Sequence, residues 1–161
     1  MLIRAISQDD WQAIGEIQAE CYHALAPEPL HVLKSKWQAS PQTCYVLEKS
    51  DQVVGYCLAH PWTEDTPPPL YKAITTLPKA DTLYLHDIAI SNRAQGFGAG
   101  RKLFDTLKLQ AEKLRLGSLS LVAVQGACGY WEKLGFNHKR IEKSLATYTD
   151  DASYMVYPVA R

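Results

Sequence analysis

Apolar residues along the chain follow two periods, and each period predicts an element. LIRAI at residues 2–6 alternates and predicts a strand. Ser7 followed by Asp10 carries a capping-box signature, after which Ile14, Ile17 and Cys21 fall on one helix face. Pro27 and Pro29 interrupt, and LHVLKSKWQ, residues 30–38, predicts a second short helix. Residues 43–60 hold two strand-like runs joined at Ser50, Asp51 and Gln52, so a hairpin is expected. TLYLHDIAI at 82–90 predicts a strand, and 98–115 a helix with Leu103, Leu107, Ala111 and Leu114 on one stripe. SLSLVAV at 118–124 reads as a buried strand. A short helix within 126–136 stops at Gly135, a residue suited to the left-handed cap. Strands near 136–141 and 153–159 complete the pattern.

The order is β-α-α-β-β-loop-β-α-β-α-β-β, without repeats or a linker, which implies one mixed α/β domain. Strand 82–90, helix 98–115 and strand 118–124 form a crossover unit, so those two strands are expected to be parallel. The proline-bearing segment 61–81 holds Trp62 and Tyr71, and a loop of that length in a compact domain is more often functional than idle.

Composition narrows the classes. The chain has 161 residues, 47% apolar and 21% charged, which suits a globular domain with a real core. No apolar run reaches membrane-spanning length and MLIRAISQDDW lacks a signal-peptide core, so no membrane partner is expected. Cys21, Cys44, Cys57 and Cys128 show no metal spacing, which predicts a reducing cytoplasm and no metal. Residues 1–92 carry eleven acidic against six basic side chains, and 93–161 six against eleven. That split reads as chance and solvated faces, or as a C-terminal half that meets a polyanion. Nucleic acid is not expected, because no zinc or helix-turn-helix pattern occurs and the isoelectric point is near neutral.

SNRAQGFGAGRKLF, residues 91–104, places Gly96, Gly98 and Gly100 where a helix begins. A strand, a glycine turn and a helix N-terminus together form a generic anion site of converging N–H groups. The dinucleotide pattern would need glycine where Arg101 stands, and the P-loop would need lysine followed by serine or threonine. Tight helix–strand packing would explain one or two of these glycines equally well.

Arg93-x-x-Gly96-x-Gly98 resembles the Q/R-x-x-G-x-G/A motif of the GNAT superfamily of N-acetyltransferases. YWEKLGF at 130–136 is similar to that superfamily's second signature, an aromatic pair followed by x-x-x-Gly-Phe. The resemblance covers essentially the whole chain. It implies one mixed central sheet of about seven strands flanked by about four helices, with acetyl-CoA as co-substrate. By the same resemblance the backbone amides of Ala94, Gln95, Gly96, Phe97, Gly98 and Ala99 would hold the diphosphate, with Arg93 nearby. Ile88, Ala89 and Ile90 would pair with the pantetheine arm as with an added strand. Gln125 and Trp131 complete the implied cofactor contacts. Members of the family often pair, so a homodimer is compatible with the resemblance.

Acetyl transfer to an amine needs a base near the acceptor, because a free amine is mostly protonated at neutral pH. His86 is the candidate base, acting directly or through a water. YLHDIAI also looks like the H-x-H-x-L-A-V stretch of the arylalkylamine (serotonin-type) N-acetyltransferases, with His86 on the second histidine and Tyr84 on the first. The 61–81 segment stands where that subfamily has its substrate-covering insertion. Trp131 occupies the place of a tyrosine that can protonate the leaving thiolate, and an indole cannot serve as an acid. Tyr130, one residue earlier, is the candidate acid, although an ideal helix would turn it about 100° away, into the core. Trp62 and Tyr84, with Tyr71, are expected to sandwich an aryl or alkyl body, and Glu64, Asp65 and Asp81 suit a cationic amine. The leading expectation is a small arylalkylamine- or polyamine-like acceptor. The alternatives are a protein lysine or N-terminus, and a CoA-binding module without turnover.

Overall fold

The computed structural model of the chain describes residues 1–22 and 26–159. Strand β1 (Leu2–Ala5) lies at one edge of the sheet. From it Arg4 reaches both Asp10 oxygens at 2.8 Å, and Asp10 also accepts the Ser7 N–H at 2.7 Å. This carboxylate fixes a 3-10 turn ahead of helix α1 (Trp11–Cys21), where the capping signal lies in the sequence. Helix α2 (Leu30–Ala39) follows the proline break, then the hairpin of β2 (Cys44–Lys49) and β3 (Gln52–Trp62). Strand β4 (Thr82–Ile90), helix α3 (Ala99–Lys113) and strand β5 (Ser118–Ala123) make the crossover. Helix α4 (Cys128–Leu134) and strands β6 (Asn137–His138) and β7 (Ser153–Pro158) complete the fold.

The seven strands run in the order β1-β2-β3-β4-β5-β7-β6. Among the described residues only β4 and β5 pair in parallel, as the strand–helix–strand crossover requires. Three boundaries differ from the sequence pattern. Pro61 and Trp62 belong to β3, because Leu83 and Thr82 of β4 are there to pair with them. Leu114 caps α3 and is 36% exposed, while Leu116, past a left-handed Arg115, takes the buried place at the end of the stripe. β6 is only two residues long, and the chain then leaves the sheet until Ser153.

Alternation along β3 sorts the core into two layers. Tyr56 and Leu58 face α1 and α2, with Ile14, Ile17 and Leu33. Cys57 and Ala59 face the other side, with Leu103, Phe104 and Leu107 of α3 and Trp131 of α4. In β4 the alternation breaks. Leu58 pairs with Asp87 but Ala59 pairs with Leu85, so His86 is an extra residue in β4, a bulge. Before it Leu83 and Leu85 face α3; after it Ile88 and Ile90 do, and Ala89 faces α1. The parallel pairing with β5 covers only Leu83–Leu85 against Leu119–Leu121. Beyond Leu85 the two strands part. Ser91 donates its N–H to Val54 of β3, so by alternation the polar groups of Ile88 and Ile90 point away from β3, into the gap.

Candidate active site

A cavity of about 810 Å³ occupies this gap, running from the glycine turn after β4 to Glu28 and Tyr71 beyond the bulge. At its first end Gly96 (φ +84°) and Gly98 (φ +71°) adopt the left-handed conformation that disfavours any side chain, and a Cβ at either would enter open space. Backbone conformation thus requires these two glycines, and the space beside them is free for a guest. The first bond of α3 runs from Lys102 N–H to the Gly98 carbonyl at 3.1 Å, so the amides of Ala99, Gly100 and Arg101 have no acceptor within the helix. With the helix dipole they form an anion cradle. Gly100 has a different reason: a Cβ there would collide with the Tyr130 hydroxyl.

Tyr130 therefore lies over the start of α3, 47% exposed and bordering the cavity. This corrects the expectation that it points into the core. Trp131 takes that place, 6% exposed against Phe136, and touches the cavity only from the core side. Burial raises the Tyr130 phenol above its ordinary value, so it keeps its proton at neutral pH.

Of the residues expected around a cofactor, Ile88, Ala89, Ile90, Ala94, Gln95, Gly96, Gly98, Ala99 and Gln125 border the cavity. Arg93 and Phe97 do not. The Arg93 guanidinium is fastened to Gln52 Oε1 at 3.0 Å and Ser91 Oγ at 3.2 Å, on the side of the β2–β3 hairpin. Phe97 is 55% exposed beneath the Lys49 ammonium. On the gap side of β4, the Tyr22 hydroxyl, whose proton goes to Asp87, lies 3.1 Å from the Ile88 carbonyl, and the Cys21 thiol donates to that of Ile90 at 3.4 Å.

At the far end the bulge turns His86 and Asp87 toward α1 and α2 together. His86 Nε2 meets Glu28 Oε1 at 2.8 Å, and the His86 side chain is wholly buried behind that carboxylate. Glu28 borders the cavity, and its second oxygen accepts the Tyr71 N–H at 2.9 Å. Burial pulls the Glu28 carboxyl upward, but the His86 hydrogen bond and charge, the Tyr71 N–H and the Lys36 ammonium outweigh it and hold it below the ordinary range. His86 Nδ1 has no hydrogen-bond partner among the described residues, and neither has Nε2 of His60, whose ring centre lies 6.5 Å away. Burial, with the His86 charge, pushes His60 down to about 3, so it is neutral.

Trp62 and Tyr84, expected to hold the acceptor, do not border the cavity. Tyr84 is 1% exposed; its hydroxyl donates to Tyr148 Oη at 2.9 Å, which donates in turn to the Pro68 carbonyl at 2.6 Å. Trp62 instead braces the 61–81 loop, donating to the Thr66 carbonyl at 2.8 Å. Besides Tyr130 and Trp131, the aromatic rings that border the cavity are those of Tyr22, Tyr71 and Tyr148, beside Leu70. Glu28, Lys36, Tyr22, Asp87 and Tyr148 were not legible as site residues. The one signal for Glu28 is its place between Pro27 and Pro29, at the break between two helices.

The family model described as Acetyltransferase (GNAT) family matches residues 11–136, more than half of the chain. The chain belongs to the GNAT family. No curated protein matches it in sequence. Among solved structures, Ard1 from Thermoplasma volcanium superposes with a TM-score of 0.75 at 16% identity, covering 99% of this chain and 98% of that one. The ribosomal-protein-S18-alanine N-acetyltransferase from Escherichia coli gives 0.71 at 20% identity, over 99% and 94%. Rv2747 from Mycobacterium tuberculosis, in complex with CoA and NLQ, gives 0.72 at 16%, over 99% and 100%. At such identities these likenesses establish the shared fold. Among the described residues no helix is long and apolar enough to cross a membrane, and no cluster of three or more His, Cys, Asp or Glu could hold a metal ion.

One further charge stands beside the GNAT cleft. Asp87 is 8% exposed, and Tyr22 and Tyr56 donate their hydroxyls to its two oxygens, Tyr56 at 2.6 Å. Burial raises the Asp87 carboxyl, and the two phenols oppose that rise. Tyr56→Phe removes one of the opposing bonds, so the variant's Asp87 takes up its proton at higher pH than the wild type's. The loss of stability is then largest above that window, about 1–3 kcal/mol, and shrinks as pH falls through it. Urea denaturation followed from alkaline to acid pH checks this; a loss that shrinks nowhere as the pH falls would contradict it.

Proposed function

We propose that this GNAT protein moves the acetyl group of acetyl-CoA to a small primary amine, arylalkylamine- or polyamine-like, by direct attack with both substrates bound. The observation that carries the reading is the continuity of one cleft from the glycine cradle, along the parted edge of β4, to the Glu28–His86 pair. Acetyl-CoA supplies an activated acetyl thioester. The α3 amides and the left-handed Gly96 and Gly98 suit its diphosphate, and the polar groups of Ile88 and Ile90 suit its arm.

The acceptor's ammonium gives one proton to the Glu28 carboxylate at the cavity wall; His86, expected as the base itself, acts from behind, its Nε2–H bond to Glu28 Oε1 setting how readily that carboxylate gains the proton. Tyr130, protonated at neutral pH, is the candidate acid. A small acceptor is favoured because the 61–81 segment covers this end of the cleft, tied to the β6–β7 loop through Tyr148 and Pro68 and through Leu70 and Thr147. Free thiols at all four cysteines accord with a cytoplasmic setting. The second reading is a protein acceptor, which is what the E. coli neighbour's name states for that enzyme.

Free-thiol release from acetyl-CoA, run against tryptamine, phenethylamine, spermidine and lysine-bearing peptides, tests the proposal. Release with a small amine is expected. His86→Ala should lower kcat/KM about 10²-fold at pH 7, with partial recovery at high pH, where the free amine needs no base. Release with peptides alone would move the acceptor to protein. Silence throughout, with acetyl-CoA still raising Tm, would leave a binding module.

A further inference from the structure

The segment after β3 crosses the acceptor end of the cleft as a strap, and four of its residues between 70 and 74 are fastened by hydrogen bonds. Leu70 N–H donates to Thr147 Oγ1 at 3.1 Å, and Tyr71 N–H to Glu28 Oε2 at 2.9 Å. The Lys72 carbonyl accepts from Lys36 Nζ at 2.8 Å, and Ile74 N–H donates to Ser35 Oγ at 2.9 Å. Two of these four anchors are charged groups taken out of water. Lys36 is wholly buried and Glu28 is 9% exposed. Burying an ammonium on a single backbone carbonyl is costly, and an apolar side chain of similar length would fill the space without that cost. The pair grips adjacent residues from both polarities, the carboxylate on an N–H and the ammonium on a C=O.

What they grip is strained. Tyr71 has φ +67°, a conformation unusual for a bulky residue and one that persists only where the surroundings impose it. Its hydroxyl is tied to the Ala26 carbonyl at 2.9 Å, and its ring, 41% exposed, borders the cavity beside Leu70. We infer that Glu28 and Lys36 form a charged clamp on the strap, and that the clamp holds Tyr71 as the specificity-determining wall of the acceptor pocket, favouring amines with a flat apolar body. Lys36 is thus a positioning residue, acting on the acceptor through Tyr71. The mutual attraction of the two charges supports this arrangement: burial pushes Lys36 below the ordinary lysine range, and the Glu28 charge works the other way. The substrate side of the inference rests on the amine reading above; the clamp itself does not.

The test has two arms, neither of which needs turnover. In the first, amide hydrogen exchange is followed in the wild type, in Lys36→Met, which keeps the chain's bulk, and in Lys36→Arg, which keeps its charge. Exchange at residues 70–74 should quicken about 10-fold or more in Lys36→Met and stay slow in Lys36→Arg, with α3 and β4 unaffected. Unchanged exchange in Lys36→Met would remove the clamp. In the second arm, calorimetry on the CoA-loaded protein compares phenethylamine with hexylamine. The wild type should prefer the aryl amine, and the preference should fall about 10-fold in Tyr71→Ala and in Lys36→Met but persist in Tyr71→Phe. A preference unmoved by Tyr71→Ala, or absent from the wild type, would overturn the specificity role. Failure of acetyl transfer with every amine, by contrast, would overturn the proposed function and leave the exchange result standing.

Discussion

His86 is the one residue of β4 for which β3 offers no partner, and its insertion turns the strand over between Leu85 and Asp87. Two consequences follow from that single added residue. The side chains on either side of the insertion exchange faces, so that His86 and Asp87 both point toward α1 and α2, where an unbroken strand would send them apart. The strand also bends away from β5 after three paired residues, which opens an edge inside a seven-stranded sheet. An exposed edge within a sheet ordinarily invites another strand. Here its carbonyls are met by Tyr22 and Cys21 from the end of α1, and the glycine cradle lies at its end. Cleft and polar cluster are two results of one local departure from regular pairing.

The interior beside the cleft also carries charge. Glu28, Lys36, His86 and Asp87 converge around the acceptor end of the cleft, each at least nine-tenths buried at its side chain or whole residue. Ionised groups so placed persist only with partners, and each has one: His86 for Glu28, a strap carbonyl for Lys36, two phenols for Asp87. The two carboxyls are driven in opposite directions, Glu28 down and Asp87 up. Burial and hydrogen bonding thus set neighbouring carboxyls apart, which the acid–base chemistry proposed above would use. Glu28 and Lys36 also hold the strap, so in the proposed reading acceptor recognition and proton handling meet at Glu28.

Much of the fold was legible because period and punctuation agreed. The crossover of strand, glycine turn and helix appears in the sequence and in the structure with nearly the same bounds, and so does the stop at Gly135. The candidate site was legible only where it coincides with backbone features, as at Gly96, Gly98 and Ile88–Ile90. Side chains brought together by tertiary contact were not. Glu28 lies 58 positions from His86, and Lys36 lies 36 from the carbonyl it holds. Helix phase misled at Tyr130 and Trp131, because α4 begins only at Cys128 and the missing side chain at Gly100 makes room for a tyrosine on the cleft side. The aromatic pair Trp62 and Tyr84 belongs to paired strands, which turns those rings away from the cavity.

The parted edge of β4 is where the account stands or falls, and amide hydrogen exchange with and without acetyl-CoA reads it most directly. The prediction is slowed exchange at Ile88 and Ile90, whose amides face the gap, and at Ala99, Gly100 and Arg101 in the first turn of α3. Asp87 and Ala89, facing β3, should not change. Binding of acetyl-CoA that leaves Ile88 and Ile90 untouched, or protects residues of the β6–β7 loop in their place, would contradict it.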